Sequence, residues 1–127
     1  MFVRRLSDVV GTERDVDWGS GQSRRLLIEK DNMGFAFLDT IVNADTDVLL
    51  QYRHHLESVY CIEGEGEIID QIKNESHIIE PGTLYVLDNH DLHRVRAYTE
   101  LRLICVFNPP IEGNERHDIA SDGGSAY

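Results

Sequence analysis

The side chains best suited to chemistry in this sequence come in pairs. His55 and Glu57 stand two apart in His54-His55-Leu56-Glu57, as do Asp91 and His93 in His90-Asp91-Leu92-His93. Residues two apart on an extended strand face the same way, so each pair presents an imidazole beside a carboxylate. If the two segments are neighbouring strands of a barrel, four ligand-capable side chains converge inside it. Such a set suits Fe(II), Mn(II) or Zn(II), with an open position able to polarise a substrate oxygen. The same four residues also fit a polar barrel mouth that holds no metal.

The elements that must position these pairs are short strands. Apolar, β-branched runs are read at Val3–Leu6, Arg24–Glu29, Phe35–Ile41, Val48–Tyr52, Ser58–Glu63, Glu65–Gln71, Ser76–Ile79, Thr83–Leu87, His93–Ala97 and Leu101–Asn108. Turn residues separate them, among them Gly19-Ser20-Gly21, Asn43-Ala44-Asp45, Pro81-Gly82 and Pro109-Pro110. Strands repeating every 8–12 residues or so indicate a sandwich or barrel, and no segment sustains a helical period. The expectation is an all-β fold with little helix. It forms one domain over residues 1–118, with residues 119–127 a polar and flexible tail.

Bulk properties narrow the function. A chain of 127 residues buries roughly 65–70% of its unfolded surface without needing staples. The net charge of −11 repels phosphate backbones and anionic membranes, which argues against nucleic-acid and membrane partners. Cys61 and Cys105 sit in apolar runs and read as buried free thiols. With no apolar leader and no run of about 18 apolar residues, a cytoplasmic protein is expected.

Two segments carry a longer pattern. In Val59-Tyr60-Cys61-Ile62-Glu63-Gly64-Glu65-Gly66-Glu67, Gly64 and Gly66 fit positive-φ positions of a hairpin. In Ile79-Glu80-Pro81-Gly82-Thr83, Pro-Gly makes a type II turn. A G-x-G turn, then x-P-G-x, then histidine resembles the cupin barrel, a double-stranded β-helix or jelly roll. Three longer stretches are more specific: Tyr52 to Glu67, Pro81 to His93, and Cys105-Val106-Phe107-Asn108-Pro109-Pro110. Together with Ser23-Arg24-Arg25-Leu26-Leu27 and Met33 to Thr40, they make the chain resemble the ectoine synthases from about residue 1 to residue 118.

The resemblance implies a cupin homodimer with a catalytic metal, Fe(II) first and Zn or Mn as alternatives. By motif position its ligands are Glu57, Tyr85 and His93. It implies a small-molecule substrate, N-γ-acetyl-2,4-diaminobutyrate, which closes on itself to ectoine with loss of water. Tyr52, His55 and Glu115 are the implied proton-shuttling candidates. Arg24 and Thr40 are implied to hold the substrate carboxylate, Phe107 to wall the pocket, and His117 to touch the substrate. The reaction would make the protein a carbon–oxygen lyase of compatible-solute synthesis.

The chain departs from that family in two places. The family's tryptophan ahead of Ser-Arg-Arg is replaced by Gly21, and the only tryptophan is Trp18. Near the end, Gly113-Asn114-Glu115-Arg116-His117-Asp118 has arginine where the family has valine, and agreement is lost after Asp118. A paralogue acting on a related N-acyl diamino acid, or running the hydrolysis, is therefore the alternative enzyme. A metal-dependent dioxygenase and a binding cupin without turnover are the readings from other classes.

Overall fold

The structure, a computed structural model, describes residues 1–118 and 125–127. Its strands are β1 (Asp15–Asp17), β2 (Gln22–Leu27), β3 (Ala36–Val42), β4 (Asp47–Gln51), β5 (Leu56–Glu63), β6 (Gly66–Asp70), β7 (Glu75–Ile79), β8 (Leu84–Leu87), β9 (His93–Ala97), β10 (Leu101–Asn108) and β11 (Ser125–Ala126). Helix is confined to α1 (Leu6–Val9) and a 3-10 turn at Glu29–Asp31. The strands form two sheets, ordered β1-β2-β3-β10-β5-β8 and β11-β4-β9-β6-β7. This is the jelly roll of the cupin type.

Alternation along the strands builds the core. In β10, Leu101, Leu103, Cys105 and Phe107 are buried while Arg102, Ile104 and Val106 turn outward. The facing sheet contributes Leu50, Ile68 and Val95 to the same core. Burying side chains of this size is worth about 1.5–3 kcal/mol each, which fixes strand register, since a one-residue slip would expose a whole face.

Three local expectations need correction. The run Val3–Leu6 is not a strand; α1 begins at Leu6, where Asp8 accepts the Arg5 backbone N–H at 2.8 Å and caps it. The polar strand β1 pairs with β2 instead, and its Asp-Val-Asp carries too little apolar signal to be read. The two glycines do not form a hairpin, because β5 and β6 belong to different sheets. Gly64 has φ +93, as expected. Gly66 is needed for space: a Cβ there would lie 2.3 Å from the Arg96 carbonyl oxygen of β9. The Pro81-Gly82 turn is as read, with Gly82 at φ +93 and Thr83 N–H bonded to Glu80 O.

One ion cluster ties the N-terminal segment to the barrel. Arg14 donates to both Asp31 oxygens, at 2.8 and 3.1 Å, and Ile28 N–H adds 2.9 Å. The Arg14 hydrogen bonds, against burial, hold the Asp31 carboxyl down at about 2. A carboxyl depressed in the folded state stabilises it above the unfolded pKa of 3.8, and that contribution fades as pH falls towards 2. Asp31→Asn should cost about 1 kcal/mol at neutral pH once solvent screening is allowed for. In urea titrations the gap from wild type should narrow below about pH 4. A gap constant with pH would remove the ion cluster as its cause.

Candidate active site

Between the sheets lies one cavity that gathers most of the expected residues. Glu57 faces it from β5, where its register partners are Phe107 and Leu87. Tyr85 faces it from β8, one strand over and paired with Val59. His93 opens β9 in the opposite sheet and reaches the same space. Its Nδ1 is 2.8 Å from Asp91 O, which orients the ring, and no described residue hydrogen-bonds its Nε2.

Glu57 and His93 are buried, Tyr85 partly so, and they make few hydrogen bonds among the described residues. Burial pushes the Glu57 carboxyl well above the usual carboxylate range, and nothing among the described residues donates a hydrogen bond to it. Burial, then the neighbouring Glu57, pushes the Tyr85 hydroxyl up in the same sense. Burial lowers His93. Polar groups left this way are costly unless something else pairs with them. A carboxylate, a phenol and an imidazole oriented by a backbone carbonyl fit a divalent cation. Among the described residues no three His, Cys, Asp or Glu side chains cluster in that way, so the set depends on its tyrosine.

Thr40, Tyr52, Phe107 and His117 line the same cavity. The Tyr52 hydroxyl lies 3.1 Å from His117 Nε2, and its ring meets Phe107 edge-on at 4.9 Å. Burial, with His93 and Arg25 adding to it, drives His117 down to about 3, so its ring is neutral. Burial keeps the Tyr52 hydroxyl protonated.

Four predicted residues stand elsewhere. Arg24 points to the outer face of its sheet, where it bonds Asp39 at 2.7 Å beside Arg102. His55 sits at the rim, its Nδ1 2.7 Å from Pro109 O and its ring edge-on to Phe107. Asp91 lines a separate side cleft. Glu115 accepts the Glu112 and Gly113 N–H groups at 2.7 and 2.8 Å. Burial opposes its ionisation, yet these bonds and Arg25 hold it below its usual value.

The arginine that does turn inward is Arg25. Its side chain is fully buried, Nη2 donates to Glu115 O, and Nε donates to Ser23 Oγ at 3.1 Å. Nη1 makes no hydrogen bond, its nearest carboxylate oxygen being Glu115 Oε1 at 3.7 Å. Sequence reading missed it because Arg24-Arg25-Leu26-Leu27 puts one cation and one apolar residue on each face. Tyr127 was missed as well. β11 pairs in parallel with β4 and carries the Tyr127 ring to 4.4 Å from His117 and 5.1 Å from Tyr52. Of the remaining tail, residues 119–124 lie outside the described residues.

The ectoine synthase family model matches residues 1–125. The chain belongs to the ectoine synthase family. It is 53% identical to an L-ectoine synthase of Desulfatibacillum aliphaticivorans over 93% of this chain and 92% of that one. An L-ectoine synthase of Desulfosudis oleivorans is 51% identical over 97% and 95%. The crystal structure of the ectoine synthase from P. lautus superimposes with a TM-score of 0.85 at 49% identity, covering 89% of this chain and 81% of that one.

Within the ectoine synthase frame, the missing tryptophan at position 21 has a local explanation. A Cβ on Gly21 would lie 1.9 Å from Ile41 O and 3.1 Å from Trp18 Nε1. The Ile41 backbone closes that space, and Trp18 packs at its edge, donating to Ile41 O at 2.9 Å and lining the cavity edge-on to His117.

Proposed function

We propose that this chain closes N-γ-acetyl-2,4-diaminobutyrate to ectoine in the cavity between its sheets, with Glu57, Tyr85 and His93 holding a divalent metal, Fe(II) first. The carrying observation is that these three ligand-capable groups converge in one pocket of a chain of this family. A bound metal supplies Lewis-acid polarisation of the amide carbonyl.

The chain's own residues do the rest. The buried Arg25, whose Nη1 makes no hydrogen bond, suits the substrate carboxylate through charge-assisted hydrogen bonds, with Thr40 lining the cavity. Phe107, Trp18 and Tyr52 exclude water and fold the flexible substrate so that amine and carbonyl carbon meet. The α-amine attacks that carbon, a C–N bond forms, and the carbonyl oxygen departs as water. Two protons travel from nitrogen to the leaving oxygen, with no net uptake or release. Tyr52 and His117, linked at 3.1 Å, suit this transfer: the hydroxyl donates and the neutral imidazole accepts.

The homodimer and the cytoplasmic setting belong to the same proposal. Outward-facing Leu56, Tyr60, Leu84 and Val86 are 38%, 46%, 59% and 48% exposed on the adjacent strands β5 and β8, an apolar face suited to a second copy. No helix among the described residues is long and apolar enough to cross a membrane.

The test is anaerobic incubation of the Fe(II)-loaded protein with the substrate and chromatography of the products. Ectoine is expected. An iron-bearing sample that yields none, yet cyclises a related N-acyl diamino acid, would reassign the substrate.

A further inference from the structure

Two openings reach the candidate metal ligands, and they differ in charge. The cavity described above is walled by aromatic rings, and the only charge-bearing side chains lining it among the described residues are Glu57, His93 and His117, with the Arg25 cation close enough to act on His117. The second is a cleft of about 170 Å³ beside β7 and β8, the free edges of the two sheets. Asp70, Glu75, Asp88 and Asp91 line it against Lys73 alone. Tyr85 and His93 line both openings.

The cleft leads to a receptive group. His93 is 2% exposed, its Nδ1 is bonded to Asp91 O, and its Nε2 has no hydrogen-bond partner among the described residues. Asp70 is its register neighbour on β6. The Asp70 carboxylate is fixed by the N–H groups of Ile72 and Lys73, both at 2.9 Å, and that of Asp91 by Asn89 N–H at 3.2 Å. These carboxylates do not gather into a three-donor metal cluster among the described residues. They form a negative path rather than a second holding site.

The geometry points to this side cleft as the entry route of a hydrated divalent cation to Glu57, Tyr85 and His93, leaving the aromatic mouth to the substrate. The inference rests on the metal reading above. Clefts lined with one sign of charge concentrate the opposite ion and accelerate its arrival, and salt abolishes the advantage. The Arg25 charge behind the aromatic cavity has the opposite effect on a cation.

The experiment follows anaerobic Fe(II) uptake by metal-free protein in a stopped-flow instrument. Its signal is quenching of Trp18, the only tryptophan, which shares the cavity with the three ligands. Glu75→Gln with Asp88→Asn should slow uptake about fivefold to tenfold at low salt, and the difference should vanish at high salt. Iron retained at equilibrium, and turnover of the loaded enzyme, should match wild type. Glu80→Gln with Glu100→Gln, exposed carboxylates away from the cleft, should leave the rate unchanged. Equal uptake by wild type and the cleft variant, or equal slowing in both variants, overturns the route alone. Wild type that retains no iron at equilibrium overturns the metal reading, and the route with it.

Discussion

Glu57→Ala is expected to lower ectoine formation by roughly 10³–10⁴-fold, the loss of several kcal/mol of carbonyl activation. It is also expected to leave the metal-free protein about as stable as wild type. Both follow from one feature of the side chain. The carboxyl is buried without a hydrogen-bond donor among the described residues, and burial drives its pKa upward, so in the metal-free fold it opposes stability. Removing it relieves that desolvation and offsets the packing lost with its methylene groups. Glu57→Gln keeps the volume and should melt at or above wild type without metal while losing most of its iron. Thermal melts of metal-free protein, alongside iron content after desalting, check both. A Glu57→Gln protein that melts well below wild type would mean the carboxyl has a structural partner.

The barrel was legible in the sequence because alternation and turn chemistry agree along most of it. Leu101–Asn108 and His93–Ala97 are the strands observed, since buried and outward-facing residues alternate there between clear boundaries. Where burial and polarity disagree, the reading failed. Asp15–Asp17 is a strand held by backbone pairing with β2, which leaves no apolar mark. Glu57 and His93 were legible as one constellation, although they meet across two sheets and not on neighbouring strands. His55 and Asp91 carry the same local signal and part from the cavity at segment ends that spacing cannot orient. Tyr85 needed the resemblance, because an aromatic in a strand ordinarily means core. Tyr127 left no signal, as its place depends on a parallel pairing with β4 some seventy-five residues earlier in the chain.

The neighbouring arginines give the sharpest contrast in the site. Arg25→Ala should raise KM for the carboxylated substrate on the order of 10²-fold, since a buried charge-assisted pair is worth about 1.5–3 kcal/mol. Arg24→Ala should change KM and kcat little and show its cost in thermal stability, because it breaks the Asp39 pair on the outer face. A buried arginine also shapes its surroundings, here through Ser23 and Glu115, so a fall in activity alone would not separate binding from packing. The decarboxylated analogue, N-acetyl-1,3-diaminopropane, does separate them. Wild type should prefer the carboxylated substrate strongly. Arg25→Ala should lose most of that preference, because only the carboxylate has lost its partner, while Arg25→Lys should restore part of it. If Arg25→Ala handles both compounds worse by the same factor, the residue packs the pocket and the carboxylate is held by another group.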